Sequence, residues 1–169
     1  MDDLVQLRAE IEGLRGHIAD VAAIERLIFE HGYRYDAADF DGFADLFCED
    51  AILQDFVNGA MVAEARGRDA IRGLAMSTQR LSDGSPATHH VFSGIVVEID
   101  EPNRSARARS CITVMQAAPG FPLQAIACGT NTDAMCKERD GWRIVSRRGE
   151  VRLLGDLSRH VPTGFDHGA

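Results

Sequence analysis

Hydrophobic residues in the first fifty positions recur at intervals of three and four, which is the spacing of amphipathic helices. Over residues 2–21 the two intervals alternate, a pattern typical of the seam along which two helices pair. Gly13 and Gly16 weaken this helix, because glycine is a poor helix former. The pattern predicts an N-terminal helix that needs support from the body of the protein or from another subunit. Its apolar seam comprises Leu4, Leu7, Ile11, Leu14, Ile18 and Val21.

Two further helices are predicted before residue 50. Asp20 is a natural cap, because an aspartate side chain accepts hydrogen bonds from the free backbone N–H groups of a helix start. It predicts a bend in the chain and a second helix over about 21–37. Asp39 predicts a short third helix over 39–47 for the same reason.

Beyond residue 50 the pattern changes to runs that are typical of strands. Two short strands, AILQDFV and AMVAEA, meet at the hairpin signal Asn58-Gly59. A helix over 67–80 follows. Four longer strands come next, separated by turns rich in Asp, Gly and Pro, over 88–99, 104–117, 122–137 and 142–154.

Consecutive strands joined by hairpin turns form an antiparallel sheet, and the leading helices are available to cover one of its faces. The sequence therefore predicts an α+β fold in which a curled sheet wraps around helices and leaves a cavity. No repeat or linker divides the chain. We expect a single domain over 1–169, with a helical extension over 1–20 and a tail over 155–169.

The composition is that of an ordinary globular domain, with 169 residues, 45% of them hydrophobic and 26% charged. The net charge of -8 argues against nucleic-acid binding, which depends on excess Lys and Arg. The one basic run, from Arg143 to Arg152, is interpreted as a sheet edge. No apolar run reaches membrane-spanning length, and the start MDDLVQLRAE lacks the features of a signal peptide. We therefore expect a cytoplasmic protein with no membrane partner.

The cysteines show neither a CxxC pair nor a Cys/His spacing typical of zinc sites, so no metal is expected and free thiols are predicted. The chain has no phosphate-binding glycine loop and no serine nucleophile elbow. Nucleotide chemistry and serine hydrolysis therefore have no local support. The four cysteines are Cys48, Cys111, Cys128 and Cys136.

Polar side chains interrupt two otherwise apolar segments. His31, Tyr35 and Asp36 end the second predicted helix, and His89 and His90 open the strand HHVFSGIVVEI. A carboxylate beside a histidine forms a general-base pair, because it orients the imidazole and stabilises its cation. Neighbouring strand residues point to opposite faces, so only one of the two histidines faces the interior.

Simpler interpretations of these residues remain open. Alternation alone does not decide whether His89 or His90 points inward. Asp36 also suits a cap of the third helix or a solvated position, and a histidine at a strand start is often an edge residue.

Three more polar residues are candidates for ligand contact. Arg152 lies between apolar neighbours in EVRLL and suits a clamp for an anion or a carbonyl group, or an ion pair with Asp36 or Glu150. Asn131 and Asp133 share one face of a strand. They hydrogen-bond a ligand there if that face is internal, and meet solvent if it is not.

The stretch AIERLIFEHGYRYDAADFDGFADLFCEDAIL resembles the opening of the nuclear transport factor 2-like superfamily, particularly its SnoaL-like branch. The segments THHVFSGIVVEID and CKERDGWRIVSRR resemble the His-bearing strand and the Asp-Gly-Trp-Arg-Ile hairpin of that branch. The resemblance spans about 20–154. It implies a cone-shaped α+β barrel, with N-terminal helices packed on a curled, mostly antiparallel sheet that encloses a pocket.

Scytalone dehydratases, bile acid 7α-dehydratases and hexachlorocyclohexane dehydrochlorinases in this branch use a helix Asp and a strand His. The resemblance places these catalytic roles on Asp36 and His90, because the eight-residue spacing from His90 to Glu98 matches the family strand. Tyr35 resembles a catalytic tyrosine that precedes this aspartate. The residues placed in the substrate pocket are His31, Asn131 and Arg152.

The resulting hypothesis is a cofactor-independent lyase of the dehydratase type, or an isomerase, that acts on a mostly apolar cyclic small molecule. Steroids, terpenoids, polyketides and aromatics belong to this class. We expect a homo-oligomer, a trimer rather than a dimer, since the related dehydratases are trimeric. The alternatives are a non-catalytic small-molecule-binding module and the β subunit of a ring-hydroxylating dioxygenase.

Overall fold

The computed structural model describes residues 2–78, 86–100 and 104–160. Three helices and six strands lie in these ranges, in the predicted order of helices first and a long sheet afterwards. Their bounds are α1 Asp2–Asp36, α2 Phe40–Ala44, β1 Phe47–Val57, β2 Ala60–Arg66, α3 Arg68–Thr78, β3 Thr88–Asp100, β4 Ser105–Ala118, β5 Phe121–Lys137 and β6 Trp142–Leu154.

The six strands form one curled sheet in the order β2-β1-β6-β5-β4-β3. All neighbours are antiparallel except β1 and β6, which run parallel. The sheet is unclosed, with β2 and β3 at its two edges. The α+β prediction is confirmed. The interpretation of the basic run Arg143 to Arg152 as a sheet edge is wrong, because β6 lies between β1 and β5 and only part of its surface is exposed.

The second half of α1 packs against the sheet. Ile24 and Ile28 are fully buried in the main hydrophobic core. Gly32 allows the helix to approach β3 closely, since a Cβ atom there would lie 2.8 Å from Phe92 Cε2 and 3.0 Å from His90 Cβ. The sequence thus places the C-terminal end of α1 directly on the start of β3.

The predicted bend at Asp20 is wrong, because α1 is one helix of 35 residues that continues through this position. The Asp20 side chain is buried instead of capping a helix. Its carboxylate accepts hydrogen bonds from Trp142 Nε1 at 2.9 Å and from Lys137 Nζ at 2.7 Å. Burial works to raise the pKa of Asp20, but these two hydrogen bonds and the charge of Lys137 outweigh it and lower the pKa.

The third helix of the sequence prediction corresponds to α2 and is shorter than predicted. Asp39 caps it as expected, accepting a hydrogen bond from Gly42 N at 3.0 Å, but the helix ends at Ala44 rather than at 47. Phe47 instead opens β1 and is fully buried.

The hairpin at Asn58-Gly59 is confirmed, with both residues at positive φ. The predicted loop at 81–86 lies outside the described residues except for Pro86, and so does the tail beyond residue 160.

The apolar seam on the N-terminal half of α1 is exposed to solvent. The seam residues Leu4, Leu7, Ile11, Leu14 and Ile18 are 40–67% exposed.

No helix in the described part of the chain combines the length and apolar character needed to cross a membrane.

Candidate active site

A cavity of about 200 Å³ lies between the helices and the concave face of the sheet. Most of its wall is apolar. Most of its polar groups lie in two regions, and His160 adds one more from the segment after β6. One region is formed by α1 and the start of β3, and the other by β1, β5 and β6. The apolar wall includes Phe43, Leu53, Leu74, Ile112, Val114 and Val151.

The first polar region contains a hydrogen-bonded Asp–His pair. Nδ1 of His90 lies 2.5 Å from Oδ1 of Asp36. The His90 side chain is 8% exposed and that of Asp36 is 14% exposed. His90 lines the cavity, whereas Asp36 stands behind it and does not. Because Nδ1 is engaged by Asp36, Nε2 is the ring nitrogen left to meet a ligand.

Asp36 is held by two more hydrogen bonds. Oδ2 accepts from the backbone N of His90 and Oδ1 accepts from Thr88 Oγ1, both at 2.8 Å. Burial works to raise the pKa of Asp36, but the hydrogen bonds from His90 and Thr88 outweigh it and lower the pKa. The carboxylate therefore stays ionised at neutral pH, as an orienting partner for the imidazole requires.

The structure separates the two adjacent histidines. His90 faces the cavity, while the His89 side chain is 68% exposed on the opposite side of β3. Its Nδ1 lies 3.8 Å from Oδ2 of Asp36, too far for a hydrogen bond. Strand alternation produces this split, and contact with α1 decides which residue is inside.

Aromatic rings surround the imidazole of His90. The Tyr35 ring lies 5.2 Å from it, centroid to centroid, in an edge-to-face arrangement. His31 is buried against Tyr35, Phe43 and Phe92. Burial, followed by the charges of Arg147 and His90, lowers the pKa of His31 well below its ordinary value, so its ring is neutral. Both His31 and Tyr35 line the cavity.

The second polar region is built around a buried ion pair. Arg147 binds Asp133 through two parallel hydrogen bonds of 2.6 and 2.8 Å, and both side chains are at most 2% exposed. Arg147 and Asn131 line the cavity. Arg147 Nη1 and Asn131 Nδ2 are buried and have no hydrogen-bond partner in the described ranges. Buried donors of this kind are normally satisfied, so both are candidates for binding a ligand oxygen or a water molecule.

Asp55 completes this region. Asp55 on β1 lies opposite Gly149 on β6 in the strand register, and Gly149 lies opposite Asn131 on β5. A Cβ atom at Gly149 would lie 2.8 Å from Asp55 Oδ1 and 3.4 Å from Asn131 Oδ1, so the glycine leaves a notch between two polar side chains. Burial raises the pKa of Asp55 to about 6 against the opposing charge of Arg147.

Arg152 is the predicted pocket residue that the structure excludes. Its side chain is exposed on β6 and does not line the cavity. The pairing of β5 with β6 skips from Val151 to Leu153, so Arg152 is the extra residue of a bulge. The inward-facing arginine is Arg147, which sequence reasoning missed together with Asp55. Alternate residues of a strand share one face, so the series Arg147, Gly149 and Val151 is the sequence signal that identifies Arg147 as inward-facing.

One group of described residues has donor atoms suited to a metal ion, and it lies outside the cavity. It consists of Cys48, Cys136 and Glu138. All four cysteines are free, as the sequence predicted, although two of them are in direct contact.

Comparison with protein families identifies one match. A family model described as a SnoaL-like domain matches residues 16–148, which is well over half of the chain. No curated protein matches the sequence significantly.

Solved structures share the fold over most of the chain. An NTF2-like protein with a cystatin-like fold from Novosphingobium aromaticivorans is 25% identical, with a TM-score of 0.68 over 94% of this chain and 96% of that one. A candidate scytalone dehydratase from the same organism is 22% identical, with a TM-score of 0.65 over 88% and 95%. The β subunit of a candidate aromatic-ring-hydroxylating dioxygenase, also from that organism, is 16% identical, with a TM-score of 0.69 over 87% and 98%.

Proposed function

Because the chain belongs to the SnoaL-like domain family, we propose that it is a cofactor-independent acid–base enzyme, either a dehydratase-type lyase or an isomerase. Its substrate is a small, mostly apolar cyclic molecule that carries an oxygen function. The observation that supports this most directly is the hydrogen bond between His90 and Asp36 at the wall of a largely apolar cavity. A cytoplasmic location and a single domain are part of the same proposal.

The size of the cavity narrows the substrate class. An apolar protein cavity of about 150 Å³ takes up one benzene molecule, and this cavity measures about 200 Å³. One or two rings fit inside. A four-ring steroid would have to extend through the mouth, so aromatic, terpenoid and small polyketide skeletons are favoured.

In the proposed reaction, Nε2 of His90 removes a proton from the carbon next to a carbonyl group. The electron pair of the broken C–H bond moves toward the carbonyl oxygen, and Asp36 stabilises the imidazolium that forms. In a dehydratase, the proton then leaves with the substrate hydroxyl group as water, and a C=C bond forms. In an isomerase, the proton returns to a different carbon.

The growing negative charge on the substrate oxygen requires donors across the cavity. Arg147 Nη1 and Asn131 Nδ2 have no protein partner within the described ranges, and they belong to the opposite polar region. The Tyr35 hydroxyl is a further candidate beside His90. The charge of Arg147 is already balanced by Asp133, so a neutral ketone fits this region better than a carboxylate does.

The test uses a bicyclic ketone as a probe, since the natural substrate is unidentified. The protein is incubated with 2-tetralone in heavy water, and deuterium at the carbon next to the carbonyl is followed by NMR. We expect exchange well above the buffer rate, because a base alone supplies about 10²–10⁴-fold. Binding of 2-tetralone without exchange would favour the binding module. Co-purification with a large iron-containing subunit would favour the oxygenase β subunit.

We expect the exchange rate to depend on the ionisation of Asp55. Its pKa is raised to about 6, so its neutral form is lost as pH rises through that value. An ionised Asp55 places a negative charge near the oxygen that must itself become negative, which opposes proton removal. The wild-type rate should therefore carry a component that falls as pH rises through about 6. Asp55→Asn should lack this component, and an unchanged pH profile would contradict the role of Asp55.

Assembly is expected to depend on the exposed seam of α1. Leu7→Glu places a charge in the seam and should convert an oligomer, expected to be a trimer, into a monomer, because an apolar contact cannot bury a lone carboxylate. Gln6→Glu adds the same charge at the neighbouring position outside the seam and should leave the oligomer intact. Light scattering at micromolar concentration measures both. A monomeric wild-type protein would contradict the expectation.

A further inference from the structure

Three side chains with metal-binding donor atoms meet where β1 begins and β5 ends. Cys48 is buried at the second position of β1, Cys136 is the last residue but one of β5, and Glu138 follows that strand. One donor atom from each lies within 4.8 Å of the other two. The two Sγ atoms are 3.3 Å apart. Folding brings these three donors together from distant positions in the sequence. No local spacing of cysteines or histidines therefore predicts the cluster.

The sulfur–sulfur distance lies closer to that of a shared metal ion than to that of a disulfide. Zinc binds thiolates at about 2.3 Å in tetrahedral geometry, which places two sulfurs roughly 3.8 Å apart. A disulfide requires about 2.05 Å. From 3.3 Å, the two sulfurs need to separate by only about half an ångström to bind one ion.

The chemistry of the three donors suits a cation. Two thiolates and a carboxylate are all anions, so a divalent cation that replaces the two thiol protons also offsets the charge that the donors bring together.

The segment that carries Glu138 is held in place by its backbone. Glu138 N donates to Gly141 O at 2.8 Å, and Glu138 O accepts from Arg104 Nη2 at 3.2 Å. The side chain itself is exposed. Its carboxylate can therefore coordinate an ion bound to the two thiolates, and a water molecule from solvent can supply the remaining ligand.

We propose that Cys48, Cys136 and Glu138 bind one zinc-class divalent cation, with a water molecule as the fourth ligand. Binding releases two protons, one from each thiol, and forms two metal–thiolate bonds and one metal–carboxylate bond. The site links β1 to β5 across the intervening β6. Along β5 it is five residues from Asn131, or about 16 Å. The ion therefore stabilises the sheet and takes no part in the chemistry at His90.

The site is tested with the full-length protein, reduced and stripped with a chelator. Titration with Co²⁺ alone should give one equivalent bound and a thiolate charge-transfer band, which Zn²⁺ displaces. Cys48→Ser and Cys136→Ser should each abolish the band, and Glu138→Gln should weaken binding by about tenfold or more. Cys111→Ser removes an exposed cysteine elsewhere and should bind like the wild type. Affinity should rise steeply with pH, because protons are displaced.

Three outcomes would overturn the proposal. The first is no stoichiometric uptake by the reduced wild type. The second is equal uptake by Cys136→Ser, a variant at a half-buried position whose folding can be checked by circular dichroism. The third is rapid formation of a Cys48–Cys136 disulfide with glutathione disulfide in a protein that binds no metal when reduced. None of these outcomes depends on the proposed acid–base reaction.

Discussion

His90→Ala is expected to reduce the rate of 2-tetralone exchange by about 10²–10⁴-fold, the contribution of a positioned general base. Binding of the ketone should change little, because the lost interaction belongs to the transition state. The expectation follows from the position of His90 at the cavity wall, with Nδ1 bound to Asp36 and Nε2 left for the substrate. Proton NMR measures the exchange, and a titration monitored by NMR measures the binding.

His89→Ala is the matched control, since it removes the same imidazole one residue earlier. That side chain is 68% exposed on the other face of β3, so its loss should be mild. Asp36→Asn should cost less than His90→Ala but still a large factor, because the ring loses its orientation and its counter-charge. The double variant should be little worse than His90→Ala alone. Loss of exchange in His89→Ala with exchange kept in His90→Ala would refute the assignment of the base.

Arg147→Met is expected to have the largest effect on stability, about 3–5 kcal/mol in the free energy of unfolding. The substitution leaves the Asp133 carboxylate buried and removes its hydrogen bonds of 2.6 and 2.8 Å to Arg147. Replacing both partners, as in Arg147→Met with Asp133→Leu, should recover much of the loss, since a buried ion pair is often matched by apolar residues of similar volume. Urea unfolding monitored by circular dichroism measures all three proteins.

Arg152→Met is the control for this series. It changes the same residue type on the same strand, but at an exposed position. Its effect should stay within about 0.5 kcal/mol. Equal effects of Arg147→Met and Arg152→Met would show that the buried pair contributes nothing beyond the general loss of a guanidinium group.

Local pattern was sufficient to predict most of the fold. The four long strands begin and end within one or two residues of the predicted positions, because alternation and turn residues are local signals. The Asn58-Gly59 hairpin depends on a single dipeptide and was equally readable. Polar intrusions and the family spacing predict that Asp36 and His90 act together, and the two are in contact, but Asp36 lies behind the cavity wall rather than in it.

The errors arose where distant partners override local preference. Asp20 suits a helix cap by type, yet its partners Lys137 and Trp142 lie more than 110 positions away in the chain and hold it inside a continuous helix. The expected inward position of Arg152 is wrong, because a bulge shifts the register of β6 and leaves no sequence signature. Cys48 and Cys136 meet only because β1 inserts beside β6, a pairing that no spacing rule encodes.

The unbroken course of α1 gives the seam a fixed direction. Eighteen residues make five full turns of an α-helix, so Ile18 and Asp36 face the same way. Phe29 and Tyr33 lie close to this direction, are 40% and 66% exposed, and border a groove shared with His89. Exposed apolar side chains therefore recur along this direction, with the charged Glu25 between Ile18 and Phe29, and the last of them lie beside His89 at the edge strand. A neighbouring subunit seated at that end of the helix would cover the Asp36 carboxylate, which lies 3.8 Å from His89 Nδ1, so subunit dissociation would alter proton transfer without any change inside the cavity.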